Sequence, residues 1–242
     1  MGRIVAIGGG RIGRGTEAID REIIALTGKK RPRAMFVPTA SRDNVRYGRR
    51  FARVYGRLGC SCDVLYLLGR QPSRRQISRQ IAAADIIYVG GGNTLLMMRR
   101  WRFLGVDAAL RKAHARGAVL CGASAGAICW FDNGHSDSMR GYGHDPFDYI
   151  RVAGLGLVKG TVCPHFHHDD REKDFLAMIA RMGGFGIGID DRCALEVVDG
   201  RYRVLSAGGR AKAWTVRRHR GRVAVAEIPR RKAFRPVAEL YE

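Results

Sequence analysis

Short apolar runs alternate with longer amphipathic stretches along most of the chain. The apolar runs, which predict strands, are residues 3–9, 33–40, 62–67, 85–92 and 118–123. The amphipathic stretches, which predict helices, are residues 16–28, 43–58, 74–83 and 94–115. Because the strands are apolar throughout rather than alternating, both of their faces are expected to be covered. The pattern therefore predicts an α/β fold with a doubly wound, mostly parallel sheet and helices on both faces.

The last part of the chain has a different pattern. Residues 194–216 contain β-rich runs interrupted by Asp-Gly and Gly-Gly pairs, which are typical of hairpins. We therefore expect β-hairpins over residues 194–228, appended to the sheet. The chain has 242 residues, of which 46% are hydrophobic, enough to bury one substantial core. With no repeat or low-complexity linker, residues 1–242 are predicted to form a single domain.

Composition adds one unusual feature, a formal net charge of +21. Such a field attracts anions, including acidic substrates. The basic residues are spread along the chain, as in RYGRR, MMRRWR and VRRHRGR, so we expect solvated surface charge and not nucleic-acid binding as the main function. No apolar run is long enough to span a bilayer, which predicts a cytoplasmic protein without a membrane partner. The six cysteines include no C-x-x-C pair, so a zinc ribbon is not expected.

A serine on a sharp turn is the leading candidate for chemistry. Residues 118–130 read AVLCGASAGAICW, in which Ser124 stands at the centre of Gly-x-Ser-x-Gly between a predicted strand and a predicted helix. Small neighbours permit the strained turn that exposes a nucleophilic hydroxyl. The alternative is a tight structural turn that only small residues can fill. The flanking strand and helix favour Ser124 as a nucleophile.

A serine nucleophile needs a base, and the base needs a carboxylate to orient it. His165, in TVCPHFHHDD, follows an apolar run and is the leading base. Asp137, in NGHSDS after the serine, is one candidate acid. Asp191, in GIGIDDRC after another apolar run, is its competitor. The sequence leaves this choice open.

Two glycine-rich loops follow predicted strands. In VGGGN, the backbone N–H of Gly91 or Gly92, with that of Ala125, would suit an oxyanion site. The alternative is a tight strand-to-helix turn. In AIGGGRIGRG, three glycines match the dinucleotide fingerprint G-x-G-x-x-G, but the second strand ends in Pro-Thr-Ala-Ser without the expected acid. We therefore expect no nicotinamide cofactor.

The stretch that contains His165 also has metal-ligating residue types, from His167 to Asp170. Imidazoles two residues apart on an extended segment can reach one ion. Without a second cluster of ligands or an H-E-x-x-H helix, a solvated polar loop is favoured. Neither a metal nor an organic cofactor is predicted.

Several of these motifs occur together in one family. YVGGGNTLLMMRRW, GASAGAICWF and PHF, in this order and spacing, resemble the peptidase E (aspartyl dipeptidase) and cyanophycinase family of serine peptidases. The opening IVAIGGG and the segment FVPTAS are also similar. The resemblance covers most of residues 3–195.

The resemblance implies a fold like that of class I glutamine amidotransferases. It makes Ser124 the nucleophile, His165 the base, and Gly91 and Ala125 the oxyanion hole. Asp137 would correspond to the acidic residue of peptidase E, whereas Asp191 would correspond to the glutamate of the cyanophycinase branch. The chain departs from peptidase E at Cys163, where asparagine is common. The identity of the acid therefore stays open.

The resemblance also suggests a substrate. Peptidase E cleaves small peptides with an N-terminal aspartate, which suits a basic protein and an arginine near the site, with Arg42, Arg140 and Arg171 as candidates. The main hypothesis is hydrolysis of a small acidic peptide through an acyl-enzyme. The alternatives are cyanophycinase-like cleavage of β-linked aspartyl-arginine peptides and a non-catalytic protein that binds anions or nucleic acid. A homodimer is compatible with each.

Overall fold

The computed structural model describes residues 2–69, 72–143, 147–219 and 221–242. The strands are β1 (Arg3–Ile7), β2 (Arg33–Val37), β3 (Ser61–Val64), β4 (Ile86–Val89), β5 (Val119–Ala123), β6 (Phe131–Ser136), β7 (Ile150–Ala153), β8 (Val158–Pro164), β9 (Phe185–Ile189), β10 (Cys193–Val198), β11 (Arg201–Ser206), β12 (Ala213–His219), β13 (Arg222–Ile228) and β14 (Arg235–Pro236). The α-helices are α1 (Glu17–Ala25), α2 (Val45–Arg57), α3 (Arg74–Ala83), α4 (Thr94–Leu104), α5 (Val106–Ala115), α6 (Ala125–Ile128) and α7 (Arg171–Met182).

The first sheet contains every strand predicted from the N-terminal half. Its order is β14-β11-β10-β1-β5-β4-β2-β3. The neighbouring pairs β1–β5, β5–β4, β4–β2 and β2–β3 are parallel. On the other side of β1, the strands β10, β11 and β14 extend the sheet, and each is antiparallel to its neighbours. The predicted α/β fold is confirmed. In a parallel arrangement of this kind, ligands bind at the carboxyl ends of the strands, where the loops after β1, β4 and β5 lie.

The prediction of one sheet is wrong, because the chain forms a second sheet. Its order is β13-β12-β9-β8-β6-β7. Strands β6, β8 and β9 are parallel to one another, whereas β7, β12 and β13 run antiparallel to their neighbours. The two C-terminal hairpins are divided between the sheets: β10–β11 joins the first and β12–β13 the second.

The segment after Ser124 also differs from the prediction, because the run AICWF predicts a helix that continues through Trp130 and Phe131. Helix α6 ends at Ile128, and β6 begins at Phe131. Phe131 is fully buried, and β6 pairs with both β7 and β8. Tertiary pairing therefore overrides the weak strand propensity of the Asp-Asn-Gly run in this segment. The long helix predicted over residues 94–115 is likewise two helices, because Gly105 between them has a φ of 75°.

The two sheets share one hydrophobic core. A single cluster of buried side chains includes Ile4 and Leu120 from the first sheet and Val162 and Ile187 from the second. A second cluster lies under α1 and α2, where Phe51 stacks on Phe36 with ring centroids 4.9 Å apart. Across the described ranges, no helix combines the length and apolar character that a membrane crossing requires.

Candidate active site

Ser124 lies at the junction of β5 and α6 in a strained backbone conformation. Its φ of 58° and ψ of −114° are values that residues with a side chain rarely adopt. The turn is also crowded: a Cβ on Gly122 would lie 2.5 Å from Val89 O, and one on Gly126 would lie 2.1 Å from the same oxygen. Only glycine fits at these two positions. The small residues of GASAG are therefore explained by close packing of the turn against β4.

The end of β1 holds three loops at one edge of the first sheet. Ile7 O accepts a hydrogen bond from Ser124 N at 3.0 Å, and Gly8 O accepts one from His165 N at 3.2 Å. Gly9 O accepts one from Arg192 N at 2.9 Å, and Gly9 forms a parallel bridge with Asp191. Consecutive residues of one short segment thus position the backbones of the serine, histidine and acid.

His165 contacts Asp191. The distance from His165 Nδ1 to Asp191 Oδ1 is 2.5 Å, and the two side chains are 24% and 46% exposed. The hydrogen bond from His165 holds the pKa of Asp191 below its ordinary value, so this carboxylate is ionised at neutral pH. A Cβ on Gly9 would lie 2.0 Å from Asp191 Oδ1 and 2.3 Å from His165 Cε1. Glycine at position 9 therefore leaves the space that the pair occupies.

Asp137, the acid that corresponds to peptidase E, lies against Arg171 instead. Arg171 Nη2 is 2.6 Å from Asp137 Oδ2, and the Arg171 side chain is only 7% exposed. The guanidinium also lies 5.1 Å from the centre of the Tyr149 ring. Of the two acids left open by the sequence, the structure brings Asp191 to His165 and pairs Asp137 with an arginine.

A second histidine, His135, is completely buried near Asp137. Its Nε2 is 2.8 Å from Asp174 Oδ1, and its Nδ1 is 3.6 Å from the Sγ of Cys163. Burial lowers the pKa of His135 against the opposing effect of Asp174. Burial also raises the pKa of the Cys163 thiol, so the residue that departs from peptidase E is a protonated core thiol.

The glycines of VGGGN lie beside the serine. A Cβ on Gly91 would be 3.3 Å from Ser124 Cβ and 3.8 Å from Ser124 Oγ. Gly92 has a φ of 138°, and a Cβ there would be 2.2 Å from Ala40 O. Ala125, the third residue expected to line an oxyanion site, is buried as the first residue of α6. Gly91 is thus the residue of this loop that approaches the hydroxyl.

The polar side chains that directly follow His165 contact carboxylates of the protein itself. His167 Nδ1 is 2.6 Å from Asp190 Oδ1, whereas His168 Nδ1 is 3.0 Å from Asp169 Oδ2. Within the described ranges, no three His, Cys, Asp or Glu side chains converge as metal ligands would.

The glycines of the dinucleotide-like motif pack against protein atoms. A Cβ on Gly8 would lie 2.3 Å from the carbonyl oxygens of both Ile189 and Asp190, and one on Gly13 would lie 2.6 Å from Val54 Cγ2. Gly8 therefore allows the end of β1 to pack against the segment that carries Asp190 and Asp191, whereas Gly13 allows the following loop to pack against α2.

A cavity of about 550 Å³ adjoins the histidine–acid pair. Its lining includes His165, Asp191, Arg192 and Arg210. Arginines therefore line this cavity, but they are not those proposed from the sequence, and Ser124 and Gly91 are not among the described residues of its lining. In the sequence, Arg192 could have been found from its position directly after Asp191, whereas no motif points to Arg210.

The three arginines proposed from the sequence have other surroundings. Arg171 pairs with Asp137, and the guanidinium of Arg140 lies 4.4 Å from the centre of the Phe147 ring. Arg42 is exposed and ends a 3₁₀ turn in a left-handed conformation with a φ of 55°. Arg192 and Arg210, in contrast, line the cavity beside His165 and Asp191.

Comparison with known proteins finds a family model and relatives that cover most of the chain. The family model described as Peptidase family S51 matches residues 4–205. A protein named "Uncharacterized peptidase YgaJ" from Bacillus subtilis (strain 168) is 32% identical over 234 residues, which cover 95% of this chain and 98% of that protein. A cyanophycinase from Nostoc sp. is 27% identical over 213 residues, which cover 85% of this chain and 71% of that protein.

Solved structures agree on the fold. The crystal structure of a peptidase from an acI-B1 Actinobacterium superposes with a TM-score of 0.76 at 18% identity, covering 98% of this chain and 97% of that chain. A putative peptidase E protein from Listeria monocytogenes EGD-e superposes with a TM-score of 0.62 at 18% identity, covering 85% of this chain and 98% of that one. Since the family model spans residues 4–205 and the Bacillus relative aligns over nearly its full length, this chain belongs to peptidase family S51.

Proposed function

We propose that the protein is a serine peptidase that cleaves small peptides with an N-terminal aspartate through an acyl-enzyme. The observation that carries this proposal is the end of β1, where consecutive carbonyls bind Ser124 and His165 while Gly9 packs against the contact between His165 and Asp191. A nucleophile, a base and an orienting acid at one sheet edge are the groups that acyl transfer needs.

In the proposed reaction, Ser124 Oγ bonds to the carbonyl carbon of the scissile peptide, and its proton passes to His165 Nε2. Asp191 accepts the hydrogen bond from Nδ1, fixes the tautomer and stabilises the imidazolium. The C–N bond then breaks, and the amine leaves with the proton from His165. Water then attacks the acyl carbon while His165 accepts its proton. The bond from that carbon to Ser124 Oγ breaks, His165 returns the proton to Oγ, and the carboxylic acid product leaves.

Stabilisation of the oxyanion is assigned to backbone N–H groups of Gly91 and Ala125. Support comes from the approach of Gly91 to Ser124 Oγ and from the place of Ala125 in the first turn of α6, where helical N–H groups have no intrahelical acceptor. Gly92 is the alternative donor from the same loop. Preorganised donors of this kind are each worth about 10²–10³ in kcat.

An acidic substrate is supported by the cations beside the histidine–acid pair. Arg192 and Arg210 line the same cavity as His165. Guanidinium groups bind carboxylates through paired hydrogen bonds, which suits the side chain of an N-terminal aspartate. The net charge of +21 would also raise the rate at which acidic peptides encounter the protein.

The experiment that tests the proposal compares the wild type with Ser124→Ala on a panel of Asp-X dipeptides and matched Asn-X dipeptides. We expect turnover of the Asp-X peptides only in the wild type, and labelling of Ser124 by a serine-directed fluorophosphonate. Undiminished turnover by Ser124→Ala would exclude Ser124 as the nucleophile. Equal turnover of Asn-X peptides would exclude recognition of the aspartate carboxylate.

A second candidate is cyanophycinase-like cleavage of β-linked aspartyl-arginine peptides. It is favoured by the contact between His165 and Asp191, since Asp191 is the acid that corresponds to that branch. It is opposed by Arg192 and Arg210, which would repel an arginine-bearing substrate. Hydrolysis rates on α- and β-linked aspartyl peptides separate the two candidates. A non-catalytic anion-binding protein would cleave neither and would leave Ser124 unlabelled.

A further inference from the structure

Six arginines line a groove of about 760 Å³ beside α2. They are Arg11, Arg46, Arg49, Arg50, Arg53 and Arg57. The described residues that line the groove include no aspartate or glutamate, and none of the six arginines forms an ion pair within the described ranges. The positive charges of the groove are therefore concentrated on one surface, and no carboxylate among the described residues of its lining compensates them.

The spacing of these arginines is that of one helical face. Positions 49 and 50 follow position 46 by three and four residues, position 53 follows them by four and three, and position 57 follows 53 by four, so these arginines lie along one side of α2. Like charges at this spacing destabilise a helix. The opposite face carries Phe51 and Tyr55 into the core, with their ring centroids 4.4 Å apart. A helix with a costly charge stripe on its outer face is suited to an anionic partner that offsets the repulsion.

The groove adjoins the candidate active site at two points. Gly10, which lines it, follows Gly9, the residue that packs against His165 and Asp191. Tyr47, also in the lining, contacts the loop beside the serine: a Cβ on Gly90 would lie 2.9 Å from Tyr47 Cε1. The groove and the candidate active site therefore share the loop after β1 and the packing of Tyr47 against Gly90.

We propose that the substrate is an acidic oligopeptide whose side chains beyond the scissile bond bind this arginine groove. The inference rests on the proposed peptidase function and extends the substrate from a dipeptide to a longer chain. The stripe from Arg46 to Arg57 spans about 16 Å at a rise of about 1.5 Å per residue. An extended peptide of about five residues covers that length.

The lining favours a peptide over a nucleic acid as the occupant. Proteins that bind single-stranded nucleic acid interleave cations with aromatic rings on which bases stack. Tyr47 is the one aromatic residue among the described residues of this lining, and it is partly buried against Gly90. Carboxylates along an extended peptide, in contrast, need only the row of guanidinium groups.

The test compares two peptides of equal length, Asp-Ala followed by glutamates and Asp-Ala followed by glutamines. The groove variant is Arg49→Gln/Arg53→Gln/Arg57→Gln, at positions that are all exposed. The control variant removes the same charge elsewhere: Arg75→Gln/Arg79→Gln/Arg111→Gln. These arginines are exposed on α3 and α5 and likewise form no ion pair within the described ranges.

In the wild type at low salt, kcat/KM for the glutamate peptide should exceed that for the glutamine peptide by about tenfold, since each exposed ion pair contributes a factor of about two to five. The groove variant should reduce this ratio to about two to three, because Arg11, Arg46 and Arg50 remain, and the control variant should preserve it. An unchanged ratio in the groove variant, or an equal reduction in both variants, overturns the proposal.

Binding of fluorescein-labelled hexaglutamate to the Ser124→Ala protein separates this proposal from the peptidase function, because it needs no turnover. Loss of binding on adding the groove substitutions supports the groove even if no Asp-Ala peptide is cleaved. Unchanged binding overturns the groove even if the wild type is an active peptidase. Displacement of hexaglutamate by oligothymidylate at a lower concentration than by unlabelled hexaglutamate would show a nucleic-acid site and overturn the peptide assignment.

Discussion

Substitution of Asp191 by asparagine tests which acid orients the candidate base. The carboxylate lies 2.5 Å from His165 Nδ1 and is ionised, because the same hydrogen bond lowers its pKa. A hydrogen bond to a charged group contributes about 1.5–3 kcal/mol, which corresponds to about 10–150-fold in rate if it acts only in the transition state. An asparagine amide can also donate to Nδ1 and favour the wrong tautomer, which raises the loss to as much as about 10⁴-fold.

The matched variants are Asp137→Asn and Asp190→Asn. Asp137 pairs with the buried Arg171, so its substitution should lower stability by about 1–3 kcal/mol, between the values for exposed and buried ion pairs. Asp190 contacts His167 and the Lys212 backbone rather than His165. Both variants should retain kcat/KM within about tenfold, because neither removes the orienting acid.

The assay is kcat/KM for an Asp-X dipeptide that the wild type cleaves, with thermal unfolding of each variant as the control for folding. Because the pKa of Asp191 lies below its ordinary value, the carboxylate is ionised at neutral pH and above, and its substitution should cost the full factor there. A folded Asp137→Asn protein that loses as much activity as Asp191→Asn would refute the reasoning. So would an Asp191→Asn protein with near-normal activity.

Three further outcomes follow from the geometry. Ser124→Gly should be more stable than Ser124→Ala by about 1 kcal/mol, because the strain that glycine relieves at a positive φ exceeds the conformational entropy that glycine loses on folding. Both variants should be inactive. Equal melting temperatures for the two variants would contradict the backbone strain at this position. Gly9→Ala should lower kcat/KM by at least about 10²-fold by displacing the histidine–acid pair. Gly56→Ala, where a Cβ meets nothing within 4 Å, is the control and should retain activity. His135 is held neutral by burial while the unfolded chain takes up a proton below about pH 6.5, so native stability should fall as the pH drops through that value. The stability difference between the wild type and His135→Gln, measured by urea unfolding, should therefore shrink by up to about 2 kcal/mol between pH 8 and 5; a constant difference would argue against a neutral buried imidazole.

The strands of the first sheet and the serine turn were predictable because their signals are local. Unbroken apolar runs indicate strands covered on both faces, and this holds for β1, β2, β4 and β5, whereas the edge strand β3 is partly exposed. The small residues around Ser124 indicate a turn with no room for side chains, and Gly122 and Gly126 have none. Each of these signals lies within a few residues of the feature it predicts.

The second sheet could not be predicted in the same way. The segment from Phe131 to Ser136 contains Asp, Asn and Gly, which disfavour strands, and it follows a helix start. It forms β6 because β7 and β8 supply hydrogen-bond partners from later in the chain. The arginine stripe of α2 likewise resembles dispersed charge in the sequence, since its concentration depends on the helical spacing and on Arg11 joining it in the groove.

Sequence alone determined that a serine, a histidine and one of two acids follow separate strands. Topology did not decide between the acids, because β8 lies between β6 and β9 and is parallel to both, so Asp137 and Asp191 each follow a strand adjacent to that of His165. Side-chain contacts between distant parts of the chain distinguish the two acids. Arg171 binds Asp137, while Gly9 leaves the space in which Asp191 reaches His165. Such contacts depend on shape and charge complementarity in three dimensions, which the order of residues does not display.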